Sequence, residues 1–411
     1  MFSKNRNSIV AILLLTLLIS GCAKNIVPAA TTTPTFAAPT DTAVPPTPTV
    51  TPTATDVPYY VDATVWTGEI NAPILIYHYF GRDNEEDIPT TWTRFKDFEK
   101  HLQQLYDNGF SLVPLSSWLD GTFIVPEGRK PFVLTIDDFW RSDQIYVDDD
   151  GTPSPYSGIG ILWRFSQEHP DFGFAASGFS NMGDKFFSDT LLPAEQRYIR
   201  VSADNSPIWR DRLSAAMVWA LENGITPYNH LFTHPKLDIT MPQDIQYQLA
   251  ENDRVTRFYL TRVGREDLIP TLGNIIALPF GIWPATPSGV QVLKNYKNPE
   301  GLPVAAIMEA YNLDAATLTP SVFSEDFDRF KINRITASDS MIQFIIDHKE
   351  EIPSALTCRV GPIEEEKAND QQALRAAIAA SITSGNCPEG VYNINGVVFD
   401  ARGGTVEIFQ P

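Results

Sequence analysis

Short apolar runs recur along most of this 411-residue chain, and amphipathic stretches separate them. Apolar runs of this length, bounded by turn residues, are typical of strands that are buried on both faces. Seven runs predict such strands, at residues 73–77, 132–136, 172–176, 225–229, 275–279, 304–308 and 330–335. The chain therefore has the elements of one large buried sheet.

Helical periodicity fills the stretches between these runs. In the clearest helix, Thr93 is the predicted N-cap, the apolar residues that follow share one face, and Gly109 ends the helix. Further helices are predicted from Trp209 to Asn223 and from Thr240 onward. Strands and helices that alternate in this way favour a parallel sheet with covering helices, and seven units favour an irregular barrel over an open sheet.

The last part of the chain, residues 347–411, has a different pattern. A helix is predicted at 367–381 between strand-like segments, so we interpret 347–411 as a small C-terminal extension of a barrel that spans 59–346. Cys358 and Cys387 lie in this extension, at a spacing that fits no zinc motif. Outside the cytoplasm such a pair most simply forms a disulfide; two free thiols are the alternative in a reducing habitat.

Polar side chains close several of the predicted strands. His78 follows the first strand, Asp137 and Asp138 follow the second, and His230 follows the fourth, with His234 four residues later. Because the carboxyl ends of barrel strands share one mouth, these side chains are expected to lie close together. If each of these residues had a separate structural role, they would be expected at both ends of the barrel. The pattern therefore predicts a functional site.

The chemistry of this set indicates a divalent metal. Asp138, His230 and His234 offer one carboxylate and two imidazoles, which can hold a zinc-like ion and leave positions open for water and substrate. The same set also fits ferrous iron, so the sequence does not fix the metal. Asp137 is then free to take a proton from a water that the metal has made acidic.

Each of these features has a structural alternative. Adjacent aspartates after a strand can cap the next helix, and an isolated H-x-x-x-H pattern is weak evidence for a metal. For His78 a hydrogen-bonded structural role is favoured over a role in the site. The joint appearance of Asp137, Asp138, His230 and His234 at strand ends favours the site.

The N-terminus predicts secretion and anchoring. Lys4 and Arg6 precede an apolar run, and Ser20-Gly21-Cys22 closes it, as in a secretion signal. The segment also resembles the bacterial lipobox, which implies that residues 1–21 are removed and that Cys22 is lipidated and anchors the chain to a membrane. Residues 22–58 are then a Pro/Thr-rich linker with an extended conformation. The predicted location is extracytoplasmic, on the bacterial membrane or cell surface.

Charge excludes one class of partner. Loss of Lys4 and Arg6 with the signal takes the formal net charge from −19 to −21. A surface this acidic repels phosphate backbones, so no nucleic-acid partner is expected.

Four segments resemble the motifs of the polysaccharide deacetylase family, the metal-dependent carbohydrate esterases with a NodB-type domain. Residues 73–78 resemble its opening strand, 134–138 its T-F-D-D-G motif, 230–235 its H-x-x-x-H-P motif and 277–281 its R-x-P-Y-G motif. The four segments also follow the family's order, and the resemblance covers about residues 70–340. It implies a distorted (β/α)7 barrel.

The resemblance also implies roles for individual residues. Asp137 would be the general base, and Asp138, His230 and His234 would bind a divalent metal, with zinc expected. The backbone N–H of Phe280 would stabilise the oxyanion. The implied reaction is hydrolysis of an acetyl group, in which metal-bound water attacks the carbonyl. The implied partner is an acetylated polysaccharide or peptidoglycan.

Three departures from the family motifs bear on activity. Phe139 replaces the Gly of the first motif and Trp140 follows it, which is expected to put bulk at the mouth. Ala277 replaces the Arg of the third motif, so the group that orients the base is missing or comes from elsewhere. The late His that serves as general acid in the family has no convincing counterpart; His348, which lies in a predicted helix, is a weak candidate.

Three hypotheses follow from the sequence. The favoured one is an active metal-dependent deacetylase. The second is a catalytically impaired barrel that keeps the metal and binds glycans at the cell surface, and the third is a structural surface lipoprotein without a site. Retention of Asp137 beside the ligands favours the enzyme, whereas Ala277 and the missing late His favour the glycan binder.

Overall fold

The computed structural model describes residues 58–81, 83, 91–183, 186–187, 199–200, 207–310 and 317–411. The predicted signal peptide, the lipidation site Cys22 and the linker up to residue 57 lie outside the described residues. In the described part of the chain, no helix combines the length and the apolar character needed to span a membrane.

The strands are β1 (Tyr59–Trp66), β2 (Ile74–Tyr77), β3 (Tyr79–Gly81), β4 (Trp92–Arg94), β5 (Phe110–Leu112), β6 (Lys130–Ile136), β7 (Ala176–Ser180), β8 (Phe186–Phe187), β9 (Ile199–Arg200), β10 (Ile225–Asn229), β11 (Ile275–Ala277), β12 (Ala306–Met308), β13 (Ile335–Thr336), β14 (Leu356–Ile363), β15 (Gly390–Ile394), β16 (Val397–Ala401) and β17 (Glu407–Ile408). The helices are α1 (Phe95–Asp107), α2 (Leu115–Leu119), α3 (Gly158–Glu168), α4 (Pro207–Glu222), α5 (Pro242–Thr261), α6 (Pro287–Asn295), α7 (Asp339–Asp347) and α8 (Gln371–Thr383). Strands and helices alternate from β2 to α7, as the sequence pattern predicts.

A parallel sheet forms the centre of the fold, in the order β12-β11-β10-β7-β6-β2-β13, with β5 beside β6. Its two ends approach each other, because the segment that leads into β13 also pairs with β12. The N–H of Ile332 donates to the carbonyl of Ile307 at 3.1 Å, and the N–H of Glu309 donates to the carbonyl of Ile332 at 2.7 Å. The fold is therefore a distorted (β/α) barrel, and the predicted fold class is confirmed.

Two predicted strands are wrong in position. Residues 172–176 were expected to form a strand, but Phe172 ends a 3-10 turn and β7 begins at Ala176. Phe172 is fully buried, as predicted, but its backbone is not extended. In the predicted strand 330–335, only Ile335 lies in a strand, and the preceding residues form the irregular bridge to β12.

The first helix has the predicted apolar face and a different start. Its buried residues are Phe95, Phe98, His101, Leu102 and Leu105. The N-cap is Arg94 rather than Thr93, because the short parallel ladder between β3 and β4 extends through Arg94, which pairs with Gly81. The long helix α5 begins at Pro242, and its N-cap is Met241 rather than Thr240.

The C-terminal extension is an antiparallel sheet in the order β14-β1-β15-β16-β17, and α8 packs against it. A disulfide joins Cys358 in β14 to Cys387, as the sequence predicts. The sequence interpretation assigned residues 59–66 to the barrel; their pairing with β14 and β15 places them in the extension. Alternating buried positions in β1 are typical of such a strand, whereas barrel strands are buried throughout.

Candidate active site

The predicted site residues lie together in one cleft of about 420 Å³. The cleft lies at the carboxyl ends of β2, β6, β7 and β10, where barrels of this kind gather functional groups. Its lining includes His78 after β2, Asp137 and Asp138 after β6, Asn181 after β7, and His230 and His234 after β10. Side chains from separate strand ends therefore meet at one mouth.

A group that could hold a metal ion lies in this cleft. One ligand atom from each of Asp138, His230 and His234 lies within 4.8 Å of the others. Nε2 of His234 is 3.7 Å from Oδ1 of Asp138, and Nε2 of His230 is 4.0 Å from the same oxygen. A carboxylate and two imidazoles at such distances fit a divalent ion.

The backbone at this mouth is strained. The φ angle is 52° at Asp138, 53° at His234 and 57° at Phe280, although none of these residues is a glycine. A left-handed backbone at a residue with a side chain costs of order 1–3 kcal/mol and persists where the surrounding structure enforces it. Such positions cluster at functional sites, so the strain supports a functional role for this mouth.

His230 is oriented as a metal ligand. Its Nδ1 lies 2.9 Å from the carbonyl oxygen of Ala277, so this nitrogen carries the proton and Nε2, on the side of Asp138, keeps a lone pair that can bind a metal. Burial lowers the pKa of His230 to about 4, although the nearby carboxylates act in the opposite direction. The imidazole is therefore neutral at neutral pH, which is the form that binds metals.

Asp137 adjoins this group and is almost fully buried. Its carboxylate forms a bidentate ion pair with Arg334, in which Nη1 donates to Oδ1 at 2.7 Å and Nη2 donates to Oδ2 at 2.8 Å. Burial alone would raise the pKa of Asp137, but the charges of Arg334 and then His230 outweigh it and hold the pKa well below its usual range. Asp137 is therefore ionised throughout the neutral range.

Arg334 supplies the partner of Asp137 that the sequence did not identify. With Ala277 at the motif position, this partner was expected to be missing or to come from elsewhere. It comes from the residue that precedes β13. Arg334 is fully buried, and it also donates to the carbonyl of Glu309 and to the hydroxyl of Thr135, both at 3.1 Å. These bonds fix the guanidinium, and with it the orientation of the carboxylate.

Two further residues that the sequence did not identify contact Asp138. The phenol of Tyr79 donates to Oδ2, and Nδ2 of Asn181 donates to Oδ1 at 2.8 Å. Burial first, and the charge of Asp138 next, raise the pKa of Tyr79 well above its usual value. The phenol therefore keeps its proton and acts as the donor.

The expectation that Phe139 and Trp140 put bulk at the mouth is wrong. Both side chains are fully buried. The ring of Phe139 occupies the space beside Gly178 in the neighbouring strand β7, where a Cβ on residue 178 would lie 2.0 Å from Cδ1 of the ring. The large side chain at the motif's glycine position is therefore accommodated inside the barrel, because the adjacent strand has a glycine.

Gly178→Ala is expected to destabilise the protein by at least about 2 kcal/mol, because the new methyl group overlaps the ring of Phe139. In a Phe139→Ala background the same substitution is expected to cost less than about 1 kcal/mol. Urea unfolding of the two single variants and the double variant measures this coupling. Equal costs in the two backgrounds would show that the two positions do not compete for space.

Two other histidines were candidates in the sequence, His78 and His348. His78 was assigned a structural role, but it lines the cleft, and its charge contributes to lowering the pKa of Asp137. His348, the weak candidate for the general acid, caps α7, and its Nδ1 lies 2.8 Å from the carbonyl oxygen of Phe344. His348 is not among the described residues that line the cleft.

Phe280 lies at the rim of the cleft, between β11 and α6. Its ring is 54% exposed and its centroid is 4.4 Å from that of His234. The residue lines the same cleft as the metal group. The oxyanion role of its backbone N–H stays a prediction.

No protein-family model matches the sequence, and no curated protein matches it. Similar solved structures include the deacetylase PplD of Streptococcus pyogenes in complex with acetate, at 14% identity and a TM-score of 0.42, over 68% of this chain and 98% of that chain.

A polysaccharide deacetylase from Bacillus cereus matches at 15% identity and a TM-score of 0.42, over 68% of this chain and 69% of that chain. A de-N-acetylase from Aggregatibacter actinomycetemcomitans matches at 12% identity and a TM-score of 0.40, over 66% of this chain and 98% of that chain. The similar solved structures thus include polysaccharide deacetylases. Similarity at this level assigns no activity, and the functional conclusion depends on the side chains of the cleft.

Proposed function

We propose that this protein removes acetyl groups from an extracellular or cell-wall polysaccharide, in a hydrolysis that depends on a divalent metal. The observation that carries the proposal is the grouping of Asp138, His230 and His234 beside an ionised Asp137. These side chains come from separate strand ends, and a purely structural role would not require all of them at one mouth.

The metal would be held by Asp138, His230 and His234, and zinc is the ion we propose, because one carboxylate and two imidazoles suit it. A divalent ion bound there supplies Lewis acidity, which polarises the acetyl carbonyl and makes a nearby water more acidic. His230 contributes its Nε2 lone pair because the Ala277 carbonyl holds the proton on Nδ1. Three protein ligands leave room for water and substrate.

Asp137 acts as the general base in this proposal. It would take one proton from the attacking water, while Arg334 holds the carboxylate in place. A carboxylate with a lowered pKa is a weak base, so it can act only on a water whose acidity the metal has increased. The base and the metal are therefore expected to be needed together.

The leaving group also needs a proton when its bond to the acetyl carbon breaks. His78 is a titratable side chain that lines the same cleft as Asp137 and the predicted ligands. It replaces His348 as the candidate proton donor, because His348 does not line the cleft. The backbone N–H of Phe280 is the candidate donor to the oxyanion.

His78→Asn is expected to lower the turnover number about 100-fold on an N-acetyl substrate, because an amine leaves poorly without a proton. Zinc content is expected to remain at the wild-type level, since His78 is not in the ligand group. Acetate release and metal analysis on the same preparation measure both quantities. His101→Asn, at a buried histidine of α1, is the control. Equal turnover in wild type and His78→Asn would remove His78 from the mechanism.

One finding weakens the alternative of an impaired glycan-binding protein. The substitution of the motif Arg by Ala277 favoured that alternative, because the base would have lacked its partner. Arg334 pairs with both oxygens of Asp137, which removes this reason. The geometry therefore supports the enzyme over the binding protein.

Acetate release by the purified protein from acetylated chitooligosaccharides, peptidoglycan and xylan tests the proposal directly. We expect release from at least one substrate, loss of release after treatment with a chelator, and recovery when zinc is added. Bound zinc without acetate release from any substrate would favour the glycan-binding alternative. Acetate release that a chelator does not affect would contradict the metal-dependent reaction.

The extracytoplasmic, lipid-anchored location is a separate proposal that rests on Cys22. Intact-mass analysis of the membrane-bound protein is expected to show a chain that begins at Cys22 and carries acyl groups. A Cys22→Ser variant is expected to lack the acyl mass and to leave the membrane fraction. An unmodified Cys22 in the wild type would contradict the anchor.

A further inference from the structure

The two oxygens of the Asp138 carboxylate have different surroundings. Oδ1 is the oxygen 3.7 Å from Nε2 of His234 and 4.0 Å from Nε2 of His230. It also accepts a hydrogen bond from Asn181 at 2.8 Å. Oδ2 accepts the hydrogen bond of the Tyr79 phenol. One oxygen therefore faces the imidazoles, and the other is bound to a tyrosine.

Tyr79 is itself held in place by its neighbours. It lies in β3 and pairs with Trp92 of β4. The guanidinium of Arg141 lies 4.3 Å from the centroid of the Tyr79 ring. Nε of Arg141 donates to Oδ1 of Asp143 at 2.9 Å. Asp143 is fully buried. A buried ion pair thus fixes the cation that packs on the ring, which limits movement of the phenol away from Asp138.

We propose that Tyr79 is a positioning residue for the metal site, because its hydrogen bond holds Oδ2 of Asp138 and turns Oδ1, the oxygen that faces both imidazoles, toward a divalent ion. The inference rests on the proposed function. A carboxylate can bind a metal with one oxygen or with two. Binding through one oxygen keeps a coordination position open, and a hydrolytic site needs that position for water or substrate.

Hydrogen bonds to metal ligands have a measurable effect on metal binding. Removal of such a partner typically weakens metal affinity 10- to 100-fold, because the ligand loses its fixed orientation. Tyr79→Phe removes only the hydroxyl and keeps the ring that packs against Arg141. The variant is therefore expected to fold and to raise the zinc dissociation constant by about 10- to 100-fold.

The chain contains a matched control for this substitution. Tyr296 donates its phenol hydrogen bond to Oδ2 of Asp253 at 2.7 Å, and Oδ1 of Asp253 accepts from the side-chain amide of Asn229 at 3.0 Å. The arrangement repeats the one at Asp138, with a tyrosine on one oxygen and an asparagine on the other. Asp253 is not in the predicted ligand group. Tyr296→Phe is therefore expected to leave zinc affinity unchanged.

The experiment measures zinc affinity of the full chain by competition with a chromophoric chelator, in wild type, Tyr79→Phe and Tyr296→Phe. Thermal unfolding of the metal-free proteins measures the structural cost of each substitution. The cobalt-loaded proteins provide a second readout: a second oxygen on the ion raises the coordination number, so the visible absorption of Tyr79→Phe is expected to be weaker than that of the wild type.

The expected result is a rise of at least tenfold in the zinc dissociation constant for Tyr79→Phe and less than twofold for Tyr296→Phe. A wild-type affinity together with an unchanged cobalt spectrum in Tyr79→Phe would overturn the inference and leave the proposed function standing. Equal weakening in both variants would also overturn it, because a general loss of rigidity would explain the result. Absence of zinc binding by the wild type would instead contradict the proposed function.

Discussion

Replacement of Asp137 by Asn is expected to lower acetate release about 10³-fold and to leave the metal bound. The amide cannot accept the proton of the attacking water, and general-base catalysis of this kind contributes about 10²- to 10⁴-fold. The predicted ligands Asp138, His230 and His234 are unchanged, so metal content is expected to stay close to one ion per chain. The measurement is the turnover number together with metal analysis.

The control for this experiment is Asp253→Asn. Asp253 is partly buried, and it lies 3.5 Å from a guanidinium nitrogen of Arg257, but it is outside the predicted ligand group. A similar loss of activity in both variants would indicate loss of folding rather than loss of a base. Activity of Asp137→Asn within tenfold of the wild type would contradict the role of Asp137.

Replacement of Arg334 by Met is expected to destabilise the fold by about 3–5 kcal/mol and to impair activity at low pH. The substitution leaves the Asp137 carboxylate buried without its cation, and the cost of breaking a buried ion pair from one side is of this size. Burial then dominates and raises the pKa of Asp137. Urea unfolding and the pH dependence of acetate release measure the two effects.

The sign of the pH effect follows from the direction of the pKa shift. In the wild type the pKa of Asp137 lies below its unfolded value. The stability from this ion pair is therefore fully present above the unfolded pKa and is lost only as pH falls through the lower, folded pKa. In Arg334→Met the pKa of Asp137 rises, so the ionised base is lost at a higher pH than in the wild type.

A single outcome would contradict the role of Arg334. If Arg334→Met unfolds at the wild-type urea concentration and has the wild-type pH profile, Arg334 does not hold Asp137. Should the single variant prove too unstable to purify, the double variant Asp137→Asn with Arg334→Met is expected to recover part of the stability, because it has no buried unpaired charge.

The sequence pattern predicted that the candidate residues lie at one mouth, because barrels place strand-end residues by a simple rule. A polar residue that directly follows a buried parallel strand lies at the mouth, wherever that strand stands in the chain. Asp138 and His230 could be brought together on this basis, although about 90 residues separate them. Their roles stay predictions until metal and activity are measured.

The partners of these residues could not be predicted in the same way. Arg334 and Tyr79 lie far from Asp137 and Asp138 in the sequence, and neither belongs to a motif. One signal was present for Arg334, because a charged residue within the apolar run 330–335 needs a buried partner. The identity of that partner depends on how β13 aligns with β2, which the sequence pattern does not specify.

Two errors about the fold have the same origin. Residues 59–66 were joined to the barrel because they precede it in the sequence, although their alternating pattern differs from that of the barrel strands. Phe139 was placed at the mouth because the motif has glycine there. The space that receives its ring is beside Gly178, a glycine on another strand. In both cases a distant segment decides where a residue lies.

X-ray diffraction from zinc-soaked crystals, measured on both sides of the zinc absorption edge, shows whether these residues bind the metal. We expect one strong anomalous peak between Oδ1 of Asp138 and the Nε2 atoms of His230 and His234, and no peak there in a variant with His230→Ala and His234→Ala. A wild-type crystal with zinc bound elsewhere, or with none bound in this cleft, would show that Asp138, His230 and His234 are not the metal ligands.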